Sequence, residues 1–137
     1  MTTPAPTRAE PADTPGFGLA VAAEAIYLVN LMMLPGLAFL VLIGLWLRHR
    51  HDAPPLARCH LAQTVAASLW AGVLLVVANG LIVLIGGYQS PHTWVVVVLY
   101  FTTCHTTLIC FGALGLARAL AGRSYVYPLI GRPCDAR

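Results

Sequence analysis

The stretch Ile26–Leu47, IYLVNLMMLPGLAFLVLIGLWL, decides how this chain is read. It is uncharged and long enough to cross a ~30 Å hydrocarbon core as a helix, which takes about 20 residues. Two further apolar runs, Leu61–Ile85 and Trp94–Leu120, meet the same length. The expected fold is an all-α membrane protein with three transmembrane helices. Pro35-Gly36 falls near the middle of the first run. Pro35 has no N–H to give to the carbonyl of Leu31, so a kink is expected there, with a neighbouring helix supplying the missing donor.

Composition supports a membrane location. The 137 residues are 58% hydrophobic and 9% charged, whereas a soluble domain is usually about a quarter charged. A soluble fold of this size has too little interior to hide so much apolar surface. Every basic side chain other than histidine is arginine, as in the products of GC-rich bacterial genomes. Met1–Gly16 is polar and Pro-rich and lacks the basic-then-apolar pattern of a secretory signal, so the first run reads as a retained span.

The chain divides into a Pro-rich tail (1–18), read as disordered, a three-helix membrane domain (19–120) and a polar, aromatic C-terminal tail (121–137) lying along the membrane surface. Its charges set an orientation. With three crossings, Arg48, Arg50, Arg58, Arg118, Arg123, Arg132 and Arg137 share one side with Asp52 and Asp135, a net of +5. Arg8 shares the other with Glu10, Asp13 and Glu24, a net of −2. The positive-inside rule then puts the C-terminus in the cytoplasm and the N-terminus outside, in the inner membrane of a bacterium. Tyr27, Tyr88 and Trp94 would mark the outer interface, and Trp46, Tyr125 and Tyr127 the inner one. The basic face attracts anionic lipid without calling for nucleic acid.

The second run is rich in small residues. Ala67/Ala71 and Ser68/Gly72 have the small-xxx-small spacing that lets helices approach closely. The third carries Thr102-Thr103-Cys104-His105-Thr106-Thr107 at mid-bilayer depth, with His105 about 16 Å in. An ionisable group at that depth faces a partner or a cavity. Two readings stand: a neutral histidine bonded to a neighbouring helix, or a metal or haem ligand. A set of His105, Cys104, Met32 and Met33 would suit copper(I). His105 and Cys110 lie about 140° apart around one helix, so further ligands would have to come from elsewhere.

His49, His51, Asp52, Cys59 and His60 cluster near the first polar connection, in a spacing that matches no standard metal site. Glu24 with His92, and Asn30 with Asn79, match in depth and are expected to pair. Cys59, Cys104, Cys110 and Cys134 show no CxxC spacing, and with Cys59 and Cys134 in a reducing compartment no structural disulfide is expected. No nucleophile with its base, no paired carboxylates and no phosphate-binding glycine loop is present.

Two segments, LVLIGLWLRHRHDAPPLARCHLAQT and ARALAGRSYVYPLIG, resemble a bacterial family of small membrane proteins. That family is related to the chloroplast inner-envelope import component of about twenty kilodaltons. In it a basic turn leads to a histidine at the start of the next helix, matched here by His60. A later helix ends in a glycine followed by a Tyr-Pro pair, matched by Gly122 and Tyr127-Pro128. The ALNF-like run that usually follows the histidine is LAQTVAAS here. The resemblance covers about residues 25 to 131 and implies a fold more than an activity, with a translocation or channel component as its functional analogy. The expected function is a small, non-catalytic inner-membrane protein that packs against itself or within a larger complex. The alternative is an intramembrane copper- or haem-binding protein centred on His105 and Cys104.

Overall fold

The computed structural model describes residues 10–134; the first half of the expected disordered tail, residues 1–9, lies outside them. The described chain is helical, with two helices long and apolar enough to cross a membrane. A 3-10 turn, Pro11–Asp13, leads into α1 (Phe17–Met32) and α2 (Leu37–His49). Next come α3 (Pro55–Gly72), a π-helical stretch (Val73–Val77) and α4 (Ala78–Gly86), continuous over 32 residues. The last helix is α5 (Pro91–Leu120). Pro55 and Pro91 each sit in the first turn of a long helix, where the missing N–H costs nothing.

The first apolar run is therefore not one helix. Pro35 and Gly36 do more than kink it: they reverse it. Gly36 holds φ at +87° and its N–H donates to Asn30 Oδ1 at 3.0 Å. The backbone turns back, so α2 runs antiparallel to α1. Leu42 of α2 and Leu61 of α3 close on Ala23 in one buried cluster. A single span over 26–47 is thus replaced by a helical hairpin whose tip is Met33–Gly36.

The other contacts fix direction. Along α1, Glu24 lies at Gly115, Tyr27 at Gly112 and Leu31 at His105, so α5 is antiparallel to it. At the N-terminal end of α1, Gly16 lies against Pro54 and Ala57 at the start of α3, and Thr14 and Pro11 lie against Gly122 after α5. Both ends of the described chain, and the α2–α3 connection, therefore gather at one end of the molecule. For the described residues the expectation of opposite ends is not met, because the hairpin adds a reversal that a single span lacks. Residues 10–16, expected to be disordered, pack against the end of α5.

At 1.5 Å per residue α1 rises about 24 Å, while the α3–α4 unit rises about 48 Å. The molecule is stepped: four helices wide where the arginines gather, two helices wide beyond the hairpin tip. The narrow half is closed at its far end by an uncharged turn. Thr93 donates to the Gly86 carbonyl at 2.8 Å, Trp94 Nε1 donates to the Tyr88 carbonyl at 2.8 Å, and the Tyr88 and Trp94 rings meet edge-on.

Candidate functional site

The most deeply buried polar groups lie in the wide half, where α1, α3, α5 and the C-terminal tail converge. Glu24 and His60 are wholly buried and Tyr127 almost so. Two glycines on α5 make the space. A Cβ at Gly115 would lie within 2.8 Å of the Glu24 carboxyl atoms, and one at Gly112 would lie 2.7 Å from the Tyr27 ring. With hydrogens there instead, α1 can bring a carboxylate and a phenol directly against the α5 backbone.

His60 sits between two partners. Its Nε2 is 3.0 Å from the Arg123 carbonyl and its Nδ1 is 2.6 Å from Glu24 Oε1. A carbonyl only accepts, so Nε2 carries a hydrogen. The proton between Nδ1 and Oε1 then makes the pair either imidazolium–carboxylate or imidazole–carboxylic acid. The second carboxyl oxygen, Oε2, accepts a hydrogen bond from Tyr127. Burial, then the Glu24 charge, pushes the Tyr127 phenol well above the usual tyrosine range, so it remains a donor. Tyr27 stacks at a tilt on Tyr127 and donates to the Leu108 carbonyl at 3.3 Å.

The tail is clamped beside this cluster. Gln63, one turn after His60, accepts from Arg132 N–H at 3.0 Å through Oε1 and donates to the Arg132 carbonyl through Nε2. Gly131 admits this approach: a Cβ there would meet Gln63 Oε1 at 2.6 Å. Cys59 is joined to Cys134 with their Cα atoms 5.3 Å apart. This overturns the expectation of no structural disulfide, which rests on compartment and on the absence of CxxC spacing; neither shows that the tail folds back onto the start of α3.

Other sequence candidates have different partners from those expected. Glu24 pairs with His60, not His92, because the hairpin carries it to the arginine-rich end. Tyr27 is buried there instead of marking the far interface. Asn30 caps the hairpin tip, and Asn79 bonds back to the Leu75 carbonyl at 2.9 Å. Of the small residues on α3, Ala67 is buried in one cluster with Tyr27 and Tyr127. Ser68 and Ala71 are buried and Gly72 is exposed, so most of that stripe is used inside the chain.

His105 Nε2 lies 3.2 Å from the Leu31 carbonyl. This is the acceptor freed by Pro35, and the expected donor from a neighbouring helix is His105. Cys104 is half-buried, while Met32 and Met33 are 65% and 74% exposed at the hairpin tip. In the connection cluster, His49 bonds to the Leu45 carbonyl, Cys59 to Cys134 and His60 to Glu24. No group of three or more His, Cys, Asp or Glu placed to hold a metal ion occurs among the described residues.

The segments around His60 and around Gly122–Tyr127 meet at this cluster, through His60, the Gly122–Arg123 turn and Tyr127. Comparison of the chain with protein-family models, curated proteins and solved structures gives no match.

Proposed function

We propose that this chain is a small, non-catalytic protein of the bacterial cytoplasmic membrane that self-associates through α5, as an accessory component of a membrane complex. In the membrane α3–α4 and α5 cross fully, and α1–α2 enters from the cytoplasmic side and returns. Every arginine among the described residues lies at the wide end, and the turn after α4 is uncharged. That asymmetry supports a cytoplasmic wide end with both ends of the described chain on that side.

The observation that carries self-association is the outer face of α5. Thr102, Thr106, Cys110, Ala113 and Ala117 are all exposed and recur three or four residues apart, along one side of the helix. Small and hydroxyl-bearing residues on a lipid-facing helix allow close approach of a second helix. Most of the small residues of α3 are occupied within the chain, whereas this face of α5 is open along its length. The acid–base groups of the Glu24–His60–Tyr127 cluster are saturated by one another, which favours a structural role for them over catalysis.

Cys110 provides the test without added probes. Mild oxidation of native membranes is expected to give a covalent dimer that disappears in Cys110→Ser and weakens in Thr106→Leu. Absence of a Cys110-dependent dimer, with a monomeric mass in mild detergent, would overturn self-association through α5.

A further inference from the structure

Where the hairpin ends, a cavity of about 530 Å³ opens between its tip, α3 and α5. That volume falls within the range of small-molecule sites, about 300–1,000 Å³. The α1 rise of about 24 Å places it in the hydrocarbon region of a ~30 Å core. Its walls include Leu31, Phe39, Leu75, Val76 and Phe101.

Three polar side chains interrupt that apolar lining: Asn30, Ser68 and His105. Ser68 is 6% exposed and its Oγ has no partner. A buried helical hydroxyl ordinarily bonds back to a carbonyl of the preceding turn. Thr64 does so on the His60 carbonyl at 2.8 Å, and Ser68 does not. Asn30 turns its Oδ1 to the Gly36 N–H, so its NH₂ end is the donor end. His105 spends its Nε2–H on Leu31, and in a neutral ring that leaves Nδ1 as an acceptor. The cavity thus presents donors and an acceptor, has no charged residue in its lining, and lies deeper than a phosphate headgroup can follow.

We propose that this cavity binds an uncharged, membrane-soluble alcohol or phenol. Its hydroxyl accepts from Ser68 and donates to His105, and its apolar body lies along Leu75, Val76 and Phe101. A hydroxyl answers both roles, whereas a hydrocarbon answers neither and a ketone only the accepting one. This site is independent of the α5 face assigned to self-association.

The test uses the full chain in phosphatidylcholine–phosphatidylglycerol vesicles and two photoactivatable probes. One is a diazirine-bearing long-chain alcohol and the other the diazirine hydrocarbon of equal length, with labelled peptides mapped by mass spectrometry. The alcohol is expected to label the segments containing Leu75, Val76 and Phe101 roughly three- to tenfold more than the hydrocarbon, the worth of about one neutral hydrogen bond. Ser68→Ala removes a group with no partner in the fold, so it should keep the helical spectrum and the melting temperature while losing most of that preference. Equal labelling by the two probes, labelling confined to other segments, or an unchanged preference in Ser68→Ala would each overturn the proposal.

Discussion

His60 is held from both sides by groups that cannot exchange roles. The Arg123 carbonyl demands a hydrogen from Nε2, and Glu24 takes up Nδ1. Removing one member of such a buried pair leaves the other uncompensated, at about 3–5 kcal/mol. His60→Ala is therefore expected to lower the detergent unfolding midpoint severely. Glu24→Gln should be mild. A glutamine carbonyl can still accept from Tyr127, and its NH₂ can donate to Nδ1 of a neutral His60. If instead Glu24→Gln proved as damaging as His60→Ala in thermal unfolding followed by circular dichroism, the carboxyl charge itself would be required. His60 and Tyr127 were visible in the sequence as features of the resemblance. Glu24 was visible only as an acid near the start of an apolar run. Its partner was misassigned because pairing depends on which end of the molecule α1 begins at, and no local pattern around Glu24 carries that information.

At the scale of elements, Pro35-Gly36 separates a span from a hairpin. The sequence showed both the break and its consequence, a freed Leu31 carbonyl that needs a donor. It did not show how far the chain would turn, because a proline kink and a reversal share the same local signature until Asn30 and Gly36 meet. His105→Ala removes the donor to Leu31, and an unsatisfied buried carbonyl costs about 1–3 kcal/mol. His105→Gln, which keeps an N–H, should recover part of that loss; no recovery in unfolding measurements would mean that the histidine ring acts by packing alone. The C-terminal tail is a second such element. Gln63 and Tyr127 bind it independently of the Cys59–Cys134 link. Cys59→Ser is therefore expected to leave tryptic cleavage after Arg123 slow. Gln63→Ala, which releases both backbone groups of Arg132, should accelerate it several-fold even with the cysteines intact. Rapid cleavage in Cys59→Ser would make the disulfide the main fastening.

At the scale of the whole molecule, the stepped shape follows from one reversal. Four helices share the arginine-rich half, and only α4 with the end of α3 and the start of α5 continue beyond it. The apolar residues of the narrow half, such as Leu84 and Ile85, are exposed and suit lipid contact. Helical class and the two helices long and apolar enough to cross a membrane could be read from composition and run length. The reversal of the first apolar run could not, since it depends on a turn of four residues at the hairpin tip.

The most direct measurement is the sidedness of single cysteines placed at Thr14, Asp52 and Gln89 in a cysteine-free background, labelled with an impermeant maleimide in intact cells and in inverted membranes. The expected result is that Thr14 and Asp52 label together from the cytoplasmic side and Gln89 from the opposite side. Labelling of Thr14 from the same side as Gln89 would mean that Ile26–Leu47 crosses the membrane as a single span, and would contradict the re-entrant hairpin.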